Sequence, residues 1–250
     1  TDSSLSVANR IAAMDSRVRV SLNEKNLGDY PNRNRAASLA TGEYLKFVDA
    51  DDVLYPHALA LMVNAMRDNP EAALGLSWNV IDPDRPYPFT SSPRETFAAH
   101  FLGTSLFGVG PSASIIRRDA FVEAGGFRNQ QFVGDTDLWF RLASKWPLVS
   151  LPPALVWWRR HAGQQMSAEQ MNREVLGTRF NIEKEALEQS PLLSAEERRL
   201  ALKRIERRYS KRLASLAVRE GEIGKAATLW KQSGLSIAKG ISALLPAQDE

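Results

Sequence analysis

Gly42-Glu43-Tyr44-Leu45-Lys46-Phe47-Val48-Asp49-Ala50-Asp51-Asp52 is the stretch from which the fold of this chain is best predicted. Residues 44–48 are mostly apolar and β-favouring, and they lie between a glycine and a group of acids, which is typical of a short buried strand. Asp49, Asp51 and Asp52 follow at the end of that strand. In open α/β sheets, ligands bind at the carboxyl ends of strands. The stretch therefore predicts an α/β sheet with a binding site at its edge.

The three acids also indicate a kind of ligand. Carboxylates this close repel each other unless a cation lies among them, and Mg²⁺ binds one or two carboxylates together with phosphate oxygens of a substrate. This pattern predicts a metal–diphosphate site. An acidic turn that caps the next helix is the alternative, because Tyr55-Pro56 places a proline near a helix start.

Composition excludes several classes of protein. The 250 residues are enough for one core, or for one domain with an appendage. There is no cysteine, which excludes disulfides, thiolate metal sites and a cysteine nucleophile and suits a reducing compartment. No apolar run approaches the roughly 18–20 residues that cross a bilayer. We therefore expect a cytoplasmic protein.

Hydrophobic periodicity divides the chain into an alternating part and a helical part. Helix and strand patterns alternate at 3–14, 17–22, 32–40, 44–48, 56–68 and 73–81. This alternation favours a layered α/β sheet that is parallel in this part of the chain. An irregular, proline-rich connection is predicted at 82–93. The elements predicted after it are helices at 94–102, 118–124 and 135–145 and strands at 112–116, 148–151 and 154–158, with only helices from residue 168 onward.

Several stretches, in a fixed order, resemble one known family. The stretch 42–52 is preceded by Asn26-Leu27-Gly28 and Asn32-Arg33-Asn34-Arg35, and followed by Ser112 to Phe127, Gly134 to Leu142, and Trp158-Arg159-Arg160-His161-Ala162-Gly163. In this order they are similar to motifs of the family 2 glycosyltransferases. The resemblance covers about residues 1–167. It implies an α/β fold of the GT-A type, a Rossmann-like mixed sheet flanked by helices, at 1–167, with an all-helical C-terminal extension at 168–250.

Two departures from the family pattern stand out. The family normally opens with a strand, a helix and a second strand that ends in Asp-Asp-Gly-Ser. Thr1-Asp2-Ser3-Ser4 looks like the tail of that motif, so we expect this chain to lack the first strand–helix–strand unit. The second departure is Gly134, where the family often has Glu.

The resemblance implies a function. It implies a metal-dependent, inverting glycosyltransferase of the hexosyltransferase type, as in polysaccharide biosynthesis. Such an enzyme moves a sugar from a nucleotide-diphosphate sugar to a hydroxyl acceptor that is a glycan or is lipid-linked. Two alternatives remain: a non-catalytic GT-A-like module that binds a glycan or a partner, and a sugar nucleotidyltransferase, although no glycine-rich phosphate loop is found.

The resemblance also implies roles for individual residues. The expected cofactor is Mg²⁺ or Mn²⁺, with Asp51 of the DxD motif as its direct ligand. Asp49 would contact the donor's ribose or the water shell of the metal, and His161 would contact the metal or a phosphate. The other residues expected to contact the nucleotide-sugar donor are Asn26, Gly28, Arg33 and Asn34.

A base is needed on the acceptor side, because the attacking hydroxyl loses a proton that a carboxylate within hydrogen-bond reach can take. By resemblance this base is Asp135. Asp is also a common helix N-cap, and Asp137 is either a second candidate base or a partner of the helix dipole. Arg141 is expected to pair with a nearby acid.

The patterns alone also predict where three tryptophans lie. Trp139 belongs to an apolar helical stripe and is expected in the core. Trp157 and Trp158 are adjacent in a predicted strand, so they should face opposite sides. One of these two is expected in the core and the other at a sugar or acceptor groove.

The positive charge is concentrated in the C-terminal part. Residues 196–239 contain 12 Lys and Arg against 5 Glu, and the rest of the chain is net negative. Eight of these basic residues lie at 198–212, in an amphipathic helix pattern. Such a helix can lie on an anionic membrane surface, here at the inner face of the membrane, or it can pack against the catalytic part or a second subunit of a homo-oligomer. Nucleic-acid binding is not expected, because the charge is confined to one helix without a base-reading motif.

Overall fold

The computed structural model describes residues 2–77, 82, 84–130, 132–159, 161 and 175–235. The helices within these ranges are α1 (Ser4–Met14), α2 (Asp29–Ser38), α3 (Ala58–Arg67), α4 (Pro93–Leu102), α5 (Arg118–Glu123), α6 (Gly134–Ala143), α7 (Leu176–Gln189), α8 (Ala195–Val218) and α9 (Ile223–Ser233). The strands are β1 (Tyr44–Leu45), β2 (Val53–Leu54), β3 (Leu74–Ser77), β4 (Phe89–Ser91), β5 (Ser114–Arg117), β6 (Leu148–Leu151) and β7 (Val156–Trp157).

The central sheet has five strands in the order β1-β5-β3-β6-β4, and β2 and β7 form a separate two-stranded ladder. In the central sheet only β3 and β6 pair in parallel, and the other pairs are antiparallel. The prediction of a parallel sheet early in the chain is therefore wrong. β1 and β3 do run in the same direction, but β5 lies between them and is antiparallel to both.

Two further strand predictions need correction. Residues 17–22 alternate in polarity but form no strand, and Val18, Val20 and Leu22 are exposed, since none of the described strands pairs with them. The connection at 82–93 was predicted to be irregular, yet it contains β4, because its prolines flank the three paired residues instead of interrupting them. The predicted end of the strand at 73–81 lies outside the described residues.

The sheet is covered on both faces. On one face α3 packs through Met62 and Met66 against β5 and β6. On the other face α4 and α6 pack around an aromatic cluster that includes Phe97, Phe140 and Trp139. Trp139 is fully buried, as predicted. Because each large apolar side chain contributes about 1.5–3 kcal/mol when buried, these two layers hold the strand ends in place.

The C-terminal helices belong to the same core. α8 starts with a capping box between Ser194 and Glu197, and its buried residues, including Ile205 and Leu213, join the core cluster of Phe97. The apolar face of this helix is therefore covered by the rest of the chain. Of the two placements predicted for 198–212, packing against the rest of the chain is observed, and peripheral membrane contact through the basic side chains stays a prediction.

The basic side chains of α8 agree with that placement. Arg208 pairs with Glu183 of α7, and Arg204 donates to the carbonyl oxygen of Leu102. At the start of the helix, Glu197 pairs with Arg94 of α4. In the part of the chain that the structure describes, no helix is both long and apolar enough to span a bilayer.

Candidate functional site

The acidic turn that follows β1 is tied to a segment about a hundred residues later in the chain. β2, directly after the turn, pairs with β7, with Val53 opposite Trp157. This ladder brings the residues after β7 to the turn, where the backbone N–H of Arg159 donates to Asp52 at 3.3 Å. The pairing therefore joins two of the motifs that are far apart in sequence.

Asp51 and His161 meet at this junction. Asp51 Oδ2 lies 3.1 Å from His161 Nε2, and both side chains remain more than a third exposed. The hydrogen bond with His161 is the main cause that lowers the pKa of Asp51. A carboxylate and an imidazole thus face the solvent side by side.

Asp49 faces a different partner. Arg33 of α2 contacts Asp49 through Nη1 at 2.7 Å and Asp29 through Nε at 2.7 Å. Its side chain is only 17% exposed, so the guanidinium is held between the two carboxylates. Arg33 therefore lies beside the acidic turn, and its contact with the nucleotide-sugar donor stays a prediction.

Lys46 is a residue of the site that the sequence analysis missed. Its Nζ donates to the carbonyl oxygens of Phe47 and Ser112, and Ser112 Oγ accepts the backbone N–H of Asp49 at 3.0 Å. Burial lowers the pKa of Lys46 to about 8, against the opposing effects of Asp49 and Asp52. A lysine inside an otherwise apolar strand was the one indication in the sequence.

Asp135 lies in the first turn of α6. The residue that caps this helix is Val133, so the N-cap interpretation of Asp135 is wrong. The backbone N–H of Thr136 donates to Asp135 Oδ1 at 2.6 Å. Burial raises the pKa of Asp135 to about 6, although Thr136 and Arg179 oppose the shift. Asp135 can therefore accept a proton near neutral pH.

Gly134 has a packing reason to be glycine. A Cβ at this position would come within 2.8 Å of the Tyr30 ring and of the Arg128 carbonyl oxygen. A glutamate, which the family often has here, would collide with both. Gly134 is buried and part of α6, so it anchors the start of the helix against α2.

Asp137 has a structural role. Its carboxylate is 7% exposed and pairs with Arg128 at 3.2 Å and with Arg141 at 2.7 Å. Arg141 also donates to the carbonyl oxygens of Ala124 and Gly126. The expectation that Arg141 pairs with an acid is confirmed, and Asp137 is too enclosed by these cations to act as the base.

The start of α2 connects the two acidic parts of the site. Asp29, which pairs with Arg33, also acts electrostatically on Asp135, where it adds to the rise in pKa that burial causes. Arg33 continues to Asp49. The acidic turn and the segment that carries Asp135 therefore both lie beside the N-terminal half of α2, where Arg33 reaches Asp49 and Tyr30 packs against Gly134.

The other three residues predicted to contact the nucleotide-sugar donor, Asn26, Gly28 and Asn34, make hydrogen bonds within the chain. Asn26 Oδ1 accepts the backbone N–H of Gly28 at 2.8 Å, and Gly28 has φ +79°, a conformation that favours glycine. Both ends of the Asn34 amide bond to the backbone of Phe127, at 2.9 and 2.7 Å. Asn34 therefore fixes α2 to the turn at residues 126–127.

The paired tryptophans differ from the prediction. Trp157 is 50% exposed and Trp158 is 44% exposed, so neither belongs to the core. The β2–β7 ladder is only two residues long in each strand, and it is too short to cover a large side chain on either face. The guanidinium of Arg159 lies 5.6 Å from the Trp157 ring centroid.

The donor atoms at the turn fit a divalent cation. Among the described residues no group of three or more His, Asp or Glu side chains converges on one point. The Asp51 carboxylate and the His161 imidazole are adjacent, and Mg²⁺ in proteins takes one or two carboxylates while substrate phosphates and water supply the other ligands. The Asp51 carboxylate therefore suits an ion that is completed by a bound diphosphate, and the adjacent imidazole can contact the ion or a phosphate.

Comparison with known proteins identifies the family of this chain and several similar proteins. The family model described as Glycosyl transferase family 2 matches residues 1–125, half of the chain. The uncharacterized glycosyltransferase YibD of Escherichia coli (strain K12) is 36% identical over 96 residues, which cover 34% of this chain. The matched segments span between 22% and 28% of the lengths of the curated relatives.

Two solved structures share the fold. S. aureus TarS 1–349 in complex with UDP-GlcNAc has a TM-score of 0.54 at 17% identity, over 95% of this chain and 81% of that one. Mannosyltransferase PcManGT from Pyrobaculum calidifontis, in complex with GDP-Man and Mn²⁺, has a TM-score of 0.54 at 19% identity, over 97% and 73%. The predicted fold, a GT-A-type mixed sheet flanked by helices with a helical C-terminal region, is confirmed.

Proposed function

The chain belongs to glycosyl transferase family 2, and from this membership we propose that it transfers a sugar from a nucleotide-diphosphate sugar to a hydroxyl acceptor. Two solved proteins of the same fold are complexes with UDP-GlcNAc and with GDP-Man and Mn²⁺, which supports a donor of this class and the use of a divalent metal. The acceptor is a glycan or a lipid-linked sugar, and the reaction inverts the configuration at the anomeric carbon.

The observation that carries this proposal is the arrangement around the N-terminal half of α2. On one side, Arg33 binds Asp49 of the acidic turn at 2.7 Å. On the other side lies Asp135, whose pKa of about 6 suits a base at neutral pH. A single displacement needs a carboxylate that takes the proton of the acceptor and a site that binds the metal and the diphosphate. Asp135 and the acidic turn, which lie beside the same helix, can supply these two parts.

The step is a direct displacement. The acceptor hydroxyl oxygen forms a bond to the anomeric carbon while the bond from that carbon to the diphosphate oxygen breaks, and the electron pair leaves with the diphosphate. Asp135 takes the proton of the hydroxyl. Attack from the face opposite the leaving group inverts the anomeric configuration.

Asp51 and His161 would hold the metal in this scheme. A bound Mg²⁺ or Mn²⁺ supplies Lewis-acid stabilisation of the charge that develops on the departing diphosphate. Arg33 and Asp49 would orient the donor beside it. Lys46 supports the acidic turn through Ser112, which accepts hydrogen bonds both from Lys46 Nζ and from the backbone N–H of Asp49.

Nucleotide release tests this function. The purified protein is mixed with Mn²⁺ and a panel of UDP- and GDP-sugars, with and without methyl glycosides as acceptors, and free nucleoside diphosphate is measured. We expect release with at least one donor, and loss of about 10²–10⁴-fold in Asp135→Asn, which removes the base. NMR of the transferred product should report an inverted anomeric configuration.

The controls separate the two parts of the site. Asp51→Ala should weaken Mn²⁺ binding measured by calorimetry in the presence of nucleotide, whereas Asp135→Asn should leave it unchanged. Asp68→Asn, at the exposed C-terminal end of α3, should behave as wild type in both assays. Donor binding without any turnover would contradict the proposal and favour a non-catalytic binding module.

A further inference from the structure

The segment 107–113 runs between the two acidic parts of the site, and its first half is fixed to α6. Thr136 Oγ1 donates to the Phe107 carbonyl oxygen at 3.2 Å. Trp139 Nε1 donates to the Val109 carbonyl oxygen at 2.9 Å. Because Trp139 is fully buried, this half of the segment cannot shift without disturbing the core.

The second half of the segment is fixed to the acidic turn at residues 49–52, where the metal is proposed to bind. Ser112 Oγ accepts the backbone N–H of Asp49 at 3.0 Å, and the Ser112 carbonyl oxygen accepts from Lys46 Nζ. Gly110 lies between these two anchored halves. Its position relative to both the acidic turn and α6 is therefore set by hydrogen bonds on either side.

Neither the backbone nor the packing explains a glycine at position 110. Its φ of −78° and ψ of 175° are open to any residue. A Cβ at this position would have one heavy atom within 4 Å, Asp135 Oδ2 at an ordinary contact distance of 3.9 Å. At Gly75, in contrast, a Cβ would come within 2.8 Å of Ile115. Since alanine at a compatible position stabilises a protein by restricting the unfolded chain, the glycine at 110 costs stability.

The missing side chain leaves space beside the Asp135 carboxylate. Gly110 is exposed to solvent, so this space is reached from outside. The atom that a side chain here would approach is Asp135 Oδ2. Asp135 Oδ1 is already bonded to the Thr136 N–H, so Oδ2 is the oxygen left to face an incoming group.

We propose that the open position at Gly110 forms one wall of the acceptor subsite and admits the hydroxyl-bearing ring of a carbohydrate acceptor to Asp135 Oδ2. This inference rests on the proposed function, in which Asp135 takes the proton of the acceptor hydroxyl. Gly110 is then a specificity-determining position. A side chain there excludes a sugar ring, whereas water needs less space and still reaches the carboxylate.

The test measures how each variant divides the donor between water and a sugar. Wild type, Gly110→Ala and Gly110→Val are given Mn²⁺, a nucleotide-sugar donor and either water alone or methyl glycosides of the common hexoses. Hydrolysis and transfer are both quantified. For Gly110→Val we expect the ratio of transfer to hydrolysis to fall by at least about tenfold, the scale on which a hydrophobic group alters pocket selectivity. For Gly110→Ala we expect a smaller fall in the same direction.

A matched control is available in the same chain. Gly224 lies near the start of α9, and a Cβ there would meet nothing within 4 Å, so Gly224→Ala adds the same methyl group far from the proposed subsite. It should leave the ratio unchanged. Circular dichroism and the thermal midpoint establish that each variant is folded. If the valine variant fails to fold, the alanine variant decides.

The outcomes distinguish this inference from the proposed function. A wild-type protein that releases no nucleotide from any donor overturns the function and the inference with it. A wild-type protein that hydrolyses donors but never transfers to a glycoside overturns the inference, and of the proposed function it leaves only the use of a nucleotide-sugar donor. An unchanged ratio in folded Gly110 variants, or a parallel loss of hydrolysis and transfer, also overturns the inference.

Discussion

At the scale of single residues, Asp135 and Asp137 show how surroundings assign different tasks to the same side chain. They lie two positions apart at the start of α6. Asp137 is enclosed by Arg128 and Arg141, whereas Asp135 has no cation paired with it at salt-bridge distance among the described residues and has a pKa raised by burial to about 6. The carboxylate of Asp137 is therefore neutralised by two arginines and has a structural role, whereas that of Asp135 can accept a proton.

The pH dependence of the reaction should report Asp135. Only the ionised carboxylate accepts a proton, so kcat/KM at saturating Mn²⁺ should rise with pH and level off above about 6. The residual rate of Asp135→Asn over the same pH range is the control, because that variant lacks the titrating carboxylate and should not show this limb. A rate that is flat from about pH 5 to pH 8 would contradict the assignment of the base.

Stability should respond in opposite directions at the two acids. The folded-state pKa of Asp135 lies above its unfolded value, so the stability it contributes is present at low pH and is lost as pH rises through about 6. Asp135→Asn should therefore be more stable than wild type at pH 7.5. Asp137→Asn should be less stable by about 1–3 kcal/mol, because it weakens hydrogen bonds to two arginines. Urea unfolding at pH 7.5 measures both, and equal shifts in the same direction would refute this distinction.

The sequence supports only part of this residue-scale picture. The resemblance to a known family points to Asp51, Asp135 and His161, because their motifs lie in a fixed order. Lys46 and Gly110 escape such an analysis. Their roles depend on what other segments of the chain place beside them, and no local pattern carries that information.

At the scale of elements, helices were predicted more accurately than strand pairing. The helix patterns at 94–102 and 135–145 correspond closely to α4 and α6, since periodicity and caps are local properties. The order of the sheet is not local: β5 enters between β1 and β3 from a position about 40 residues beyond β3. Residues 17–22 likewise alternate between apolar and polar, but this local pattern does not show whether another strand is available to pair with them.

Glu183 joins two of the C-terminal helices and offers a test at this scale. This buried residue of α7 pairs with Arg179 of the same helix and with Arg208 of α8, and His100 of α4 lies 3.9 Å away. Burial alone would raise the pKa of Glu183, but His100, Arg208 and Arg179 outweigh it and lower the pKa to about 2. The carboxylate therefore joins α7 to α8 in its charged form.

Glu183→Gln should destabilise the protein at neutral pH and make no difference in acid. Charged hydrogen bonds contribute roughly 1.5–3 kcal/mol each, so we expect a loss of about 2 kcal/mol at pH 7. A lowered pKa contributes stability above the unfolded value, and this contribution disappears as pH falls from about 4.5 toward 2. Glu188→Gln, an exposed position on the same helix, should change stability by less than about 0.5 kcal/mol. A loss at Glu183 that persists at low pH would contradict the electrostatic explanation.

At the scale of the whole molecule, one core spans the two parts into which the sequence was divided. The predicted boundary between 167 and 168 remains a prediction about organisation. The buried residues of α7 and α8, Phe180 and Ile205 among them, belong to the same cluster as Phe97 and Phe140. Removing the C-terminal helices would expose these rings to water.

Unfolding should therefore be a single cooperative transition. Far-UV circular dichroism and tryptophan fluorescence should give coincident urea curves, which is the usual sign of two-state behaviour. A chain shortened to residues 1–167 should aggregate or lose its fixed tertiary packing, measured by near-UV circular dichroism. A shortened chain with a native near-UV spectrum would instead support two independent units.

The β2–β7 ladder has a consequence for protein engineering. It makes residues 51 and 161 next-door neighbours although more than a hundred positions separate them along the polypeptide. In a library randomised at both sites, beneficial amino acids at one site should depend on the amino acid chosen at the other. Selected clones should accordingly carry matched pairs, and shuffling the halves of two successful clones should often destroy their fitness.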